Sequence, residues 1–239
     1  MAEPIHCPVA GHDISLQLTH RVFKPTLTTA ILTEQATSVD LAGLTALDLG
    51  CGSGPIAVAL ALCGARHVYA VDIMDEACEL SRINALVNGV ADRVTVLQGD
   101  LFEAVGDSLF DVIVDDVSGV AEDVARLSTW FPDQVPTGGV DGTSLTIRML
   151  QQSREHLARG GRLYFPVLSL SSAGRIVDVA EQIYGDRLAR VATKQIPFNP
   201  ELKNNLPQLR ELRDAGLIDF HQIRSRAFWT LDIYRATRD

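Results

Sequence analysis

The chain contains no CxxC pair, no internal repeat and no low-complexity tract. No stretch approaches the roughly 18 uninterrupted apolar residues of a membrane helix. Near the N-terminus Glu3 stands early, and no apolar core of signal-peptide length follows. The cysteines are Cys7, Cys51, Cys63 and Cys78, irregularly spaced, which suits a reduced, cytoplasmic protein better than a disulfide scaffold. His6, Cys7 and His12 lie close together, but such a group beside a terminus reads as incidental and no metal is expected. Positive charge is also short: the net charge is −9, so no global field gathers phosphate, and nucleic acid is not the default partner. Arg210, Arg213, Arg224 and Arg226 gather late in the chain. A solvated helix face and strand edge is the plain reading of them, a local basic patch the alternative.

What is present is enough for one sizeable core: 239 residues, 46% apolar and 21% charged. The most telling stretch is Ala46-Leu47-Asp48-Leu49-Gly50-Cys51-Gly52-Ser53-Gly54-Pro55, with Asp72 eighteen residues past its last glycine. An apolar strand climbs into a glycine turn and a helix starts at once. Glycines without Cβ atoms let the backbone turn sharply and approach a ligand. A carboxylate at the end of the next strand is placed to accept from ribose hydroxyls.

From residue 45 the pattern alternates strand and helix. Strands are predicted at 45–49, 67–71, 93–97, 110–114 and 161–166, and helices at 54–63, 75–87, 143–158 and 172–184. A strand in Ile14–Leu18 and a helix near 27–38 precede them. Val112-Ile113-Val114 is apolar on both faces, as in a parallel sheet covered by helices. The expected fold is therefore α/β, a doubly wound, mostly parallel, seven-stranded sheet with an antiparallel C-terminal strand. Residues 189–196 and 227–235 read as the last strands, with a helix at Pro207–Ala215 and Gly216 as its cap between them. The whole, residues 1–239, reads as one domain with a lead-in over 1–40 and an insert over 197–225 that is either an acceptor lid or decoration.

NAD, FAD and S-adenosylmethionine (SAM) proteins all use glycine turns, and further details separate them. Asp48 sits at the strand end, where an acid facing the ligand repels a diphosphate and attracts a sulfonium and an ammonium. Asp72 supplies the ribose acceptor. In Gly99-Asp100-Leu101-Phe102 a carboxylate can accept from an adenine amine while Leu101 and Phe102 offer apolar surface to the ring. These favour SAM over a dinucleotide.

The segments DLGCGSG, VDI, GDLF and FDVIV at these spacings resemble the class I SAM-dependent methyltransferases over roughly residues 20–170. The resemblance implies that Gly50, Gly52 and Gly54 line the methionine moiety, that Asp72 holds the ribose, and that Asp100 with Leu101 frames the adenine. Cys51 and Ile73 belong to the same segments. Val22-Phe23-Lys24-Pro25-Thr26 is similar to the stretch covering the cofactor in the small-domain group, which places Pro25 and Thr26 there too. That group holds the release-factor and ribosomal-protein glutamine methyltransferases and the ribosomal RNA guanine-N2 methyltransferases. Gly138 to Gly142, Arg148 and the run Gly160 to Pro166 extend the likeness, Asp141 reading most simply as a helix N-cap.

The departure lies at the fourth strand's end. Where those families carry Asn-Pro-Pro-Tyr, this chain reads Asp115-Asp116-Val117-Ser118-Gly119. Asp116 stands for the Asn and Gly119 for the ring, so aromatic stacking of an acceptor is lost. Asp116 and Asp115 are candidate bases or cation binders, and Ser118 a polar wall; the alternative is that either aspartate caps a turn. Phe198, Asn199, Asn204, Asn205 and His221 are candidates for acceptor selection in the insert. The expected activity is methyl transfer from SAM to an acceptor, a small molecule first. The alternatives are a protein side chain, RNA, or a catalytically silent SAM-binding protein, with a dinucleotide-dependent oxidoreductase behind them. The oligomeric state stays open.

Overall fold

The computed structural model describes residues 5–127, 131–132 and 134–239. Two antiparallel strands, β1 (Ile5–Val9) and β2 (His12–Leu16), form a hairpin ahead of helix α1 (Leu27–Ala36). The central sheet begins with β3 (Thr45–Leu49), followed by α2 (Pro55–Leu62), β4 (His67–Asp72), α3 (Asp75–Val87) and β5 (Val94–Gln98). Next come β6 (Phe110–Asp115), a short α4 (Glu122–Arg126), α5 (Ser144–His156), β7 (Leu157–Leu168) and α6 (Ala173–Tyr184). β8 (Leu188–Pro197), α7 (Pro200–Asn204), α8 (Leu206–Asp214), β9 (His221–Ile223) and β10 (Arg226–Thr237) complete the chain.

The strand order is β5-β4-β3-β6-β7-β10-β8, and β9 adds a short eighth strand beside β10. β3 to β7 pair in parallel, while β10 runs antiparallel to both neighbours. The α/β, mostly parallel sheet with an antiparallel C-terminal strand is as expected. The three-residue β9, β1 and α4 were not legible. The order reverses between β3 and β6, so the crevice for a ligand opens beyond the carboxyl ends of those two strands. The glycine turn leaves β3 at that point.

Alternate residues explain the layering. Val112 and Val114 of β6 join the core under α1 and α2, whereas Ile113 joins the core on the opposite face, with Met149 and Leu150 of α5 and Ile176 of α6. A strand greasy on both sides needs helices on both sides.

Two turn expectations differ in detail. The N-cap of α5 is Thr143, not Asp141. Asp141 sits two residues earlier, accepting from the Thr143 N–H (3.1 Å) and Oγ1–H (2.8 Å) and pairing with Arg175 at 2.7 Å. Gly216, at φ +75°, does follow the end of α8, and its N–H donates to Arg213 O.

Gly142 is held at φ +74°, and a Cβ there would lie 2.6 Å from the Ala121 nitrogen and 2.6 Å from the Ser171 Cβ. Gly142→Ala combines left-handed strain with a clash against backbone and should destabilise the fold by about 2–4 kcal/mol. Urea unfolding measures this, and an unchanged midpoint would mean that the loop relaxes freely.

The insert contributes to the core: Phe198, Leu202, Leu209, Ile218 and Phe220 are buried with the α1–α2 core.

Candidate active site

The carboxyl ends of β3 to β7 surround a cavity of about 330 Å³, within the size range of small-molecule sites. Its walls come from Gly50–Ser53 after β3, Asp72–Met74 after β4, Gly99–Leu101 after β5 and Asp116–Val120 after β6. Pro166 and Leu168 of β7, Leu145 and Arg148 of α5, and Phe131 close it, with the strap Val22–Thr26 and Thr28 and Thr29 of α1 opposite.

Of the residues expected near a cofactor, Gly50, Cys51, Gly52, Asp72, Ile73, Asp100, Leu101, Pro25 and Thr26 all line this cavity. Asp48 and Gly54 do not. Asp48 does not face the ligand, contrary to expectation. It is fully buried beneath the turn instead, and its Oδ2 accepts the Ala57 N–H at 3.0 Å in the first turn of α2. That hydrogen bond satisfies one of the open N–H groups at the start of α2. Gly54, at φ +83°, touches α3: a Cβ would meet Ser81 Oγ at 2.5 Å. Its lack of a side chain serves packing. Phe102 also turns away, stacking on His156 with centroids 4.3 Å apart.

Asp72 organises two loops at once. Its Oδ2 accepts the Gly52 N–H and its Oδ1 the Met74 N–H, both at 2.9 Å. Burial raises its pKa, and the Met74, Gly52 and Ile73 amides work against that rise. Asp100 is bridged by Arg148 at 2.8 Å, a partner the sequence reading left without a role.

At the β6 end, Asp116 and Ser118 line the cavity, while Asp115 lies outside its lining and is fully buried. Asp116 Oδ2 accepts the Thr29 hydroxyl at 2.8 Å, and Thr29 Oγ1 in turn accepts the Thr26 N–H at 3.2 Å in a capping box that starts α1. Thr29 was missed, although the spacing from Thr26 to Thr29 is a capping-box signal. Burial pushes the Asp116 carboxyl up to about 7, the Thr29 hydrogen bond opposing. Burial, then the negative charge of Asp116, raises Asp48 and Asp115 as well.

These shifts have a sign. A carboxyl held above its ordinary range keeps a proton in the folded protein that the unfolded chain releases, so stability falls as pH climbs from about 4 through 7. Asp115→Asn removes one such group. It should raise stability at pH 8 by about 1–3 kcal/mol and flatten the decline, read from urea midpoints across pH. A midpoint lowered at pH 8 would mean that the charge is wanted there.

The cavity suits the expected cofactor. Asp72, Asp100 and Asp116 face it, and of the two basic residues in its lining, Lys24 and Arg148, the second is tied to Asp100. The buried Ser53 and Ser118 hydroxyl oxygens have no partner among the described residues. An acid-rich wall with spare polar atoms favours a cationic, ribose-bearing ligand over a diphosphate.

A doubly wound sheet with this cavity at its switch point, rimmed by DLGCGSG, Asp72 and Asp100, has the class I SAM-dependent methyltransferase fold. The chain belongs to the ribosomal protein L11 methyltransferase (PrmA) family, whose sequence profile matches residues 26–158, more than half of it. It is similar to a release factor glutamine methyltransferase of Rhodopirellula baltica, 38% identical over 145 residues, which are 58% of this chain and 49% of the relative. A ribosomal protein L11 methyltransferase of Carboxydothermus hydrogenoformans is 28% identical over 149 residues, 62% of this chain and 47% of the relative. The chain thus spans about half the length of these curated relatives. A crystal structure of a ribosomal protein L11 methylase from Lactobacillus delbrueckii subsp. bulgaricus superposes with a TM-score of 0.56 at 20% identity, covering 91% of this chain and 82% of that one. That likeness shows the shared fold.

Among the described residues no helix is long and apolar enough to cross a membrane.

Proposed function

We propose that this chain transfers a methyl group from SAM to a nitrogen of a polypeptide acceptor, with Asp116 as the proton acceptor. The observation that carries the proposal is the buried Asp116 carboxyl, pushed up to about 7 and lining the cavity beside the glycine turn, where the Asp116 N–H donates to Leu49 O at 3.0 Å. The names of the matching relatives move the acceptor from the small molecule expected at first to a polypeptide, since those relatives are methyltransferases of a release factor and a ribosomal protein. The net charge of −9 leaves nucleic acid without support.

SAM, when bound, supplies an electrophilic methyl group on a cationic sulphur. Asp72 would accept from the ribose, Asp100 and Leu101 would frame the adenine, and Gly50, Cys51 and Gly52 would lie along the methionine end. Ile73 would flank the ribose side, and Pro25 and Thr26 would cover the ligand from the strap. Asp116 takes the acceptor's proton so that the nitrogen lone pair is free. Ser118 is a polar wall for the acceptor. Asp115, buried outside the cavity lining and kept protonated by burial and by the Asp116 charge, would have no contact with the acceptor. Residues 1–239 act as one catalytic domain, with 197–225 on its acceptor side.

Incubation with methyl-labelled SAM and a cell extract, followed by separation of protein, nucleic acid and small molecules, tests this reading. Label is expected in protein. Label in small molecules alone would restore the first expectation, and binding of SAM without any turnover would make the chain a silent SAM-binding protein.

A further inference from the structure

Residues 197–225 are absent from the cavity wall, yet they build a feature on its rim. Leu231 of β10 is level with Leu168 of β7, which lines the cavity. β10 runs five residues further back, to Arg226, so it projects about 17 Å past that level. β8 backs it only as far as Phe228, opposite Pro197. On the other edge, the one β7 occupies lower down, β9 takes over, with His221 opposite Phe228 and Ile223 opposite Arg226. The β9–β10 hairpin therefore stands in line with β7 and continues it beyond the cavity mouth. Ser169 joins the two levels: its N–H donates to Thr230 O and its Oγ accepts the Thr230 N–H, both at 2.9 Å.

The arm has a fixed base. Phe198 and Phe220 pack at 5.1 Å beneath it, the Arg213 guanidinium lies 4.8 Å from the Phe220 ring centre, and His221 stacks on Phe228 at 5.4 Å. A rigid surface loses little entropy on binding.

Its tip is basic on an acidic protein. Arg224 and Arg226 are exposed, and Arg210 of α8 is drawn in by a 2.9 Å hydrogen bond from Nη2 to Gln222 Oε1. None of these three arginines makes an ion pair among the described residues. Ile223, 58% exposed, sits among them. Arg224 also occupies φ +56°, a left-handed turn position that glycine or asparagine adopts more easily. The chain thus keeps a charged side chain where the backbone prefers none, which points to a use for the charge.

We infer that this arm is the acceptor-docking surface and that it takes an acidic, partly apolar polypeptide segment. The inference rests on the polypeptide reading of the acceptor. A peptide fits better than RNA: the rings of His221 and Phe228 stack on each other and present no open platform for bases, and the rest of the molecule repels phosphate.

The test uses the full chain, a fluorescein-labelled peptide of alternating Glu and Leu, and an oligouridylate of similar charge. At low salt the peptide should bind, and added salt should weaken it. Arg224→Glu with Arg226→Glu should weaken binding roughly tenfold or more while SAM affinity stays unchanged. Arg224→Gly separates charge from fold: thermal stability should hold or rise as the turn relaxes, while peptide affinity falls. No peptide binding by the wild type, equal binding by the double variant, or preference for oligouridylate would each overturn the inference. Failure of the wild type to bind SAM would instead strike the methyltransferase reading, so the two failures are distinguishable.

Discussion

Asp116→Asn is expected to leave SAM affinity within about threefold and to lower kcat by roughly 10²–10⁴-fold, the usual contribution of a positioned base. The substitution is nearly isosteric. An asparagine Oδ1 can still accept the Thr29 hydroxyl that meets Asp116 at 2.8 Å, so α1 and its capping box stay in place. What disappears is the ability to take a proton. In the wild type kcat/KM should rise with pH through about 7 as the Asp116 carboxyl ionises, and the variant should lose that step. The folded protein should also become more stable at neutral pH, because an amide replaces a carboxylate that burial disfavours. A variant with slower turnover, a flat pH profile and a higher urea midpoint carries the signature of a base. Wild-type turnover in Asp116→Asn would reduce the residue to a hydrogen-bond acceptor for the incoming nitrogen.

The cavity around Asp116 shows which parts of such a site a sequence exposes. The glycine turn, Asp72 and Asp100 were legible because local backbone need and side-chain chemistry coincide there: a strand ends, a turn must form, and an acceptor follows. The strands from β3 to β8, and the helices between them apart from α4, were legible for a related reason, since strands apolar on both faces leave few architectures open. Tertiary direction was not legible. Asp48 stands one residue before the end of β3 and Asp72 ends β4, yet Asp48 points beneath the turn to Ala57 and Asp72 points across to Gly52. Neither composition nor spacing distinguishes the two directions. The Arg148–Asp100 bridge spans 48 residues, and the Thr29–Asp116 bond spans 87, so each waits on the fold. The late arginines illustrate the same limit. Their proximity in the chain was visible, but only the pairing of β9 with β10 and the Arg210–Gln222 bond gathers three of them on one projecting edge.

Asp72→Ala should be the most damaging change for the cofactor. The Asp72 carboxylate accepts backbone N–H groups from Gly52 and Met74 at 2.9 Å, with the Ile73 amide beside them, and its roughly four lone-pair sites still leave room for a ribose hydroxyl. Truncation therefore removes the expected ribose acceptor and also unties the glycine turn from the loop after β4. Hydrogen bonds to a charged group are worth about 1.5–3 kcal/mol, so losing both should raise the Kd for SAM by roughly 10²-fold or more. Asp72→Asn keeps one acceptor oxygen and should fall between. Calorimetry with both SAM and S-adenosylhomocysteine locates the loss. The two ligands share the ribose and differ in the charge on sulphur, so an equal fold-change for both places Asp72 at the sugar. A loss confined to SAM would place its charge against the sulfonium, and the ribose would then need another partner in the cavity. An unchanged Kd for both would remove the glycine-turn end of the cavity from cofactor binding altogether, and the proposed placement of the methyl group beside Asp116 would fall with it.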